Sequence, residues 1–140
     1  MNYNVSYSSD FGGISPGIIF GIFLVSYLLT VYPIYKMYTL ANLKNPWFAF
    51  IPFIGQMKMY NLADFSMWTV LVLFIISIIP FVGALVVFIF AIWLNWTIAK
   101  NFGLNALGCI LAIFFGIFVY WYIAITNKEF VGDIKPQYRN

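Results

Sequence analysis

FSMWTVLVLFIISIIPFVGALVVFIFAIWLNWTIA, residues 65–99, contains no Asp, Glu, Lys or Arg; Asp64 closes it on one side and Lys100 on the other. As one α-helix it would measure about 52 Å at ~1.5 Å per residue, against a bilayer hydrocarbon core of about 30 Å. The stretch is therefore expected to double back. Ile79-Pro80-Phe81-Val82-Gly83 offers the place. Pro80 removes an amide donor and clashes with the preceding turn, and Gly83 accepts the positive φ that a reversal needs. The reading is a membrane hairpin tipped at Pro80 to Gly83.

Composition agrees. The 140 residues are 64% hydrophobic and 8% charged, where a soluble domain carries about 25% charged residues. This is the signature of a single integral membrane domain, residues 1–140, of the all-α class. The net charge of +3 comes from seven Lys and Arg that flank apolar segments rather than forming a run. The expected partner is thus the lipid bilayer and not nucleic acid.

Enzyme chemistry finds little footing. There is no histidine, which excludes His-ligated zinc or haem and the usual general base. Cys109 is the single cysteine and sits in an apolar run, so it cannot form an intrachain disulfide and reads as a small packing residue. No Gly-rich phosphate loop, metal-ligand cluster or paired carboxylates occur. Ser66 and Lys58 lie eight residues apart with nothing to build an oxyanion hole between them. The chain is expected to be no enzyme and to need no cofactor or metal.

Upstream of the hairpin, residues 1–10 form a polar tail without Lys or Arg, and the apolar run from Phe11 to Tyr35 is too long for a signal-peptide core. A first span over 16–38 is expected. Ser15-Pro16 supplies its N-cap and first residue, Pro33 perturbs it, and Lys36 ends its charge-free run. With Lys36, Lys44 and Lys58 following it and no basic residue before it, the positive-inside rule places the N-terminus outside the cell membrane. Tyr32, Tyr35 and Tyr38 are read as headgroup anchors at the inner interface.

Asn45-Pro46 ends that helix, and Trp47 to Gly55 is too short to cross, so residues 46–63 are expected to be re-entrant or interfacial. Within them Ile51-Pro52-Phe53-Ile54-Gly55 matches Ile79-Pro80-Phe81-Val82-Gly83 with one conservative change. A duplication, as in transporters built from broken-helix repeats, would produce this match. Coincidence in a chain so rich in these residues would produce it too.

Downstream, spans are expected over 66–79, 83–100 and 104–126, with a turn at Lys100 to Gly103, an interfacial Tyr120-Trp121-Tyr122 and a polar tail over 128–140. Four spans leave Lys36, Lys44, Lys58 and Lys100 inside and Lys128, Lys135 and Arg139 outside with the tail. Three spans, with 65–99 as one tilted helix, put the tail inside and only Lys100 outside. The length of 65–99 favours four.

Two sets of residues stand out. Gly108, Ala112 and Gly116 recur every fourth position, as do Gly17 and Gly21, which suits close approach of a second helix. Lys58, Asn61 and Asp64, with Asn95 and Lys100, are candidates for a polar site. Snorkelling at the cytoplasmic interface accounts for Lys58, Asp64 and Lys100 without any site, and a bond to a neighbouring helix accounts for Asn95.

The succession Asn45-Pro46-Trp47, Ile51 to Gly55, Trp68, Ile79 to Gly83 and Ile98-Ala99-Lys100-Asn101-Phe102-Gly103 resembles a family of small uncharacterised bacterial polytopic membrane proteins. The likeness covers residues 44–126 and departs where Gly55 and Gly83 replace asparagines. It implies a helical membrane protein and no defined activity. Some members carry a signal-peptidase label, but this chain has no room for the soluble catalytic domain such an enzyme needs.

The function expected from these residues is a non-enzymatic accessory or assembly subunit that packs against itself or another membrane protein. The alternative is an oligomeric small channel or carrier for an ion or small solute.

Overall fold

The computed structural model describes residues 15–140; the polar tail read over 1–10 lies outside them. The described residues are all-helical, with one isolated antiparallel bridge between Leu43 and Arg139. The helices are α1 (Pro16–Leu40), α2 (Pro52–Met59), α3 (Thr69–Ser77), α4 (Val82–Asn101), α5 (Ala106–Phe114) and α6 (Gly116–Thr126). Short 3-10 turns occupy Pro46–Phe50, Tyr60–Ala63 and Pro136–Tyr138. Two helices, α1 and α4, are long and apolar enough to cross a membrane.

The charge-free stretch does double back. Residues 60–81 run antiparallel to α4 along its length. Asn101 Nδ2 donates to the Leu62 carbonyl at 2.8 Å, Phe65 packs edge-on against Trp93 with ring centres 4.9 Å apart, and Gly83 meets Ile76 and Ser77. The tip differs in detail from expectation. Phe81, not Gly83, takes the positive φ, at +63°, in a tight turn closed by Val82 N donating to the Pro80 carbonyl at 2.8 Å. Gly83 is required for another reason. A Cβ there would overlap the Ile76 carbonyl oxygen and lie 2.8 Å from Ser77 Cα, so the missing side chain lets α3 and α4 touch.

The expected continuous span over 104–126 is two helices, broken at Phe115 (φ −129°, ψ 44°). A straight helix from Ala106 to Thr126 would hold its ends about 30 Å apart at ~1.5 Å per residue. Instead both ends return to the same place. Lys128 N bonds the Ile123 carbonyl at the end of α6, and three residues later Val131 N bonds the Asn101 carbonyl at the end of α4, at 2.8 Å. Phe102 and Phe130 stack edge-on with ring centres 5.1 Å apart. Asn105 starts α5 with a side-chain cap on Gly108 N at 3.0 Å, so the pair α5–α6 forms a V whose apex is Phe115.

Residues 46–59 make a similar but shorter excursion along α1. Tyr27 Oη donates to the Phe50 carbonyl at 2.7 Å near the turning point, and Tyr38 Oη donates to the Gly55 carbonyl on the return. The Ile-Pro-Phe-x-Gly copies thus sit at two hairpin tips. In both, the glycine N–H donates to the carbonyl of the motif's isoleucine, at 2.7 Å from Gly55 to Ile51 and 2.8 Å from Gly83 to Ile79. Both glycines press on the carbonyl seven residues upstream, Phe48 or Ile76. Both phenylalanines, Phe53 at 85% and Phe81 at 91%, project almost free.

The loops at 41–45, 60–64 and 101–105 and the tail at 128–140 are stitched into one face. Lys44 N donates to the Tyr138 carbonyl and Asn140 N to the Asn42 carbonyl, both at 3.0 Å, while Lys135 N donates to Asp64 Oδ1 at 3.0 Å. The core lies beneath this face, with Tyr38, Ile98, Phe102 and Ile123 fully enclosed. All seven Lys and Arg lie in these segments or in the helical turns that lead into them. Asn42, Asn45, Asp64 and Asn127, the chain reversals on this face, all adopt positive φ, as short polar side chains allow. The tail therefore shares a side with the 41–64 and 101–105 loops, not the opposite side that four spans require.

Candidate functional site

The polar residues singled out by spacing do not converge. Lys58, read as a snorkelling interfacial lysine, is 4% exposed. Its Nζ donates to the carbonyls of Lys44 and Asn45, the latter at 3.1 Å, and stands 4.9 Å above the Phe48 ring. It ties down the loop where Asn45 takes a positive φ, and burial lowers its pKa. Asn61 is buried with Oδ1 unpaired. Asp64 faces the tail, with Oδ2 3.8 Å from Lys135 Nζ on the surface. Lys100 is exposed in the last turn of α4, where a cation suits the helix dipole.

Asn95 does find a neighbouring helix. Its Oδ1 accepts from Tyr120 Oη at 2.6 Å, and its Nδ2 donates to the Ala91 carbonyl at 2.8 Å. Tyr120 and Tyr38 were read as interfacial anchors, yet both are buried, at 8% and 0% exposure. The signal was present, since tyrosines that end an apolar run suit either a headgroup zone or an internal carbonyl. Spacing along one helix does not choose between them.

Around Asn95 and Tyr120 a gallery opens between α1, α2, α4 and α6. It measures about 330 Å³ and includes Thr30, Gln56, Tyr60, Asn95 and Tyr120 among its lining residues. A second cavity of about 430 Å³, lined by Ser26, Tyr27 and Pro52 among others, shares Thr30 and Gln56 with it. The shared residues make the two cavities neighbours. The gallery's polar lining is neutral throughout. Gln56 opens the polar stretch 56–64, but Thr30 entered no motif in the sequence, and only the return of α2 against α1 brings the two together.

The small residues separate into two kinds. Gly108 is filled against Leu104, Ala112 is fully buried, and Gly116 sits 3.4 Å (as an added Cβ) from Asn95 Oδ1. This stripe serves packing within the chain, with Gly116 beyond the break at Phe115. Gly17 and Gly21 are different: an added Cβ at Gly21 meets nothing, and at Gly17 only its own N-cap serine. No residue of α1 before Val31 is buried.

A third space is the cleft inside the α5–α6 V, about 690 Å³. Apolar side chains including Leu104, Leu111, Phe115 and Phe118 line it, with Tyr122 and Lys128 on its rim. No group of three or more His, Cys, Asp or Glu side chains that could hold a metal occurs among the described residues.

Against known proteins, residues 47–133 match the model of a family of unknown function, DUF5684. The chain belongs to that family. The DUF5684 match takes in both Ile-Pro-Phe-x-Gly tips, α3 to α6 and the start of the tail strap, and leaves α1 outside. The match is consistent with the uncharacterised family read from residues 44–126. No curated protein and no solved structure matches the chain.

Proposed function

We propose that this DUF5684 protein is a multi-pass membrane protein that acts as a non-enzymatic accessory or assembly subunit, joining a second copy or another membrane protein through the outer half of α1. The proposed topology has three crossings: α1, residues 60–81 and α4. Residues 46–59 and the α5–α6 V enter and leave on the basic face. The clustering of all seven Lys and Arg on that face supports a cytoplasmic placement for it, with the start of α1 outside.

One observation carries the assembly reading. From Gly17 to Thr30, α1 has no buried residue, and Ile18, Phe20, Ile22, Phe23 and Val25 are each more than half exposed. Lipid alone would tolerate this surface. Gly17 and Gly21, open on that same segment and four apart, add the close-approach geometry that favours helix association in a membrane. The test is the mass of the full chain in mild detergent, with cross-linking in native membranes. Association that weakens with Gly17→Leu and Gly21→Leu, while thermal stability holds, supports the reading; a monomer with no co-purifying partner rejects it.

The gallery favours a second reading, an oligomeric carrier or channel for a small solute. Gln56 and Tyr60 present hydrogen-bonding groups to it, and such groups at membrane depth need water or a ligand. Asn95→Leu should then abolish flux in reconstituted vesicles without unfolding the chain. Unchanged flux removes this reading.

A further inference from the structure

We propose that the α5–α6 cleft is a binding site for one acyl chain of an anionic phospholipid, whose phosphate pairs with Lys128. The proposal rests on the membrane placement above but not on the assembly role. The cleft narrows to Phe115 at its apex and opens toward the basic face, where α5 begins and α6 ends. Its walls, including Leu104, Leu111 and Phe118, offer apolar contact along a depth of about 13 Å, the length of α5 at ~1.5 Å per residue. That shape takes a single flexible chain.

The rim supplies the selectivity. Lys128 is the one charged side chain among the lining residues, and no carboxylate lines the cleft to neutralise it. Its Nζ lies 6.0 Å from the Tyr122 ring centre, which keeps the ammonium at the mouth. A partly buried lysine above an apolar cleft that, among the described residues, no carboxylate lines is complementary to a lipid that carries phosphate at the headgroup and hydrocarbon below it. An apolar partner helix would fill the walls and leave Lys128 without an anion.

The test is native mass spectrometry of the full chain, delipidated in mild detergent and re-exposed to phosphatidylglycerol or phosphatidylcholine. The wild type should hold one phosphatidylglycerol about fivefold more strongly than phosphatidylcholine, the preference one lysine gives. Lys128→Gln should level the two. Leu111→Trp, at a half-exposed wall position, should reduce both by filling the cleft, with helical content by circular dichroism unchanged. Equal retention of the two lipids by the wild type, or full retention by Leu111→Trp, overturns the proposal. Displacement by soluble glycerol phosphate also overturns it, by pointing to a headgroup site without a chain. A chain that is monodisperse without detergent would instead refute the membrane placement, and that result is read at purification before any lipid is added.

Discussion

Asn101 Nδ2 donates to the carbonyl of Leu62 at 2.8 Å, across 39 positions of sequence, while the Asn101 carbonyl accepts from Val131 and Gly132. One residue thus joins the end of α4, the 3-10 turn at 60–63 and the tail strap. Gly132 is packed so closely that a Cβ on it would lie 2.5 Å from Asn101 Cγ. Asn101→Ala removes the side-chain bond and leaves the Leu62 carbonyl unpaired, which costs about 1–3 kcal/mol. The expected result is a lower thermal midpoint in detergent and faster proteolysis after residue 131; an unchanged midpoint would show that the strap does not depend on this side chain.

Gly83, Gly21 and the turn between α3 and α4 predict opposite effects of single substitutions. Gly83→Ala forces a Cβ onto the Ile76 carbonyl and should cost about 1–3 kcal/mol. Gly21→Ala meets open space and should raise stability by up to about 1 kcal/mol through helix propensity. Phe81→Gly should also stabilise, by about 1–2 kcal/mol, because Phe81 holds a positive φ and buries almost nothing. Thermal unfolding of the three variants side by side checks the order.

Lys58 predicts a pH dependence. Burial lowers its pKa from the ordinary 10.5, so the folded chain binds this proton less tightly than the unfolded chain. The stability linked to that residue is complete above pH 10.5 and falls as pH drops through the lowered value. Lys58→Met leaves the Lys44 carbonyl without a donor and removes one of the two donors to the Asn45 carbonyl, at about 1–3 kcal/mol. The midpoint gap between wild type and variant should therefore widen as pH rises toward 10.5. A gap that narrows contradicts the buried placement.

The stitched basic face predicts sidedness. In a chain whose Cys109 is replaced by Ala, single cysteines at Lys44 and Lys135 should react from the same side of sealed vesicles, since their segments are bonded together. A cysteine at Phe81, on the opposite end of α4, should react from the other side. Reaction of the Lys44 and Lys135 positions from different sides would exclude the three-crossing topology.

Much of this was legible in residue order. Thirty-five uncharged residues between Asp64 and Lys100 exceed a bilayer's thickness, and Pro80 with Gly83 leaves one place to turn. The two Ile-Pro-Phe-x-Gly copies were legible as a repeat, although residue order left duplication and coincidence both open. These are local matters of length, missing donors and missing side chains, so sequence by itself determined them. The return of the chain at Phe115 carried no such mark, because neither Phe114, Phe115 nor Gly116 forbids a helix. That break, the burial of Lys58 and Tyr38, and the gathering of Gln56 with Asn95 and Tyr120 were decided only in the tertiary structure. Each depends on which distant carbonyl or helix face is within reach, a quantity that no window of sequence contains.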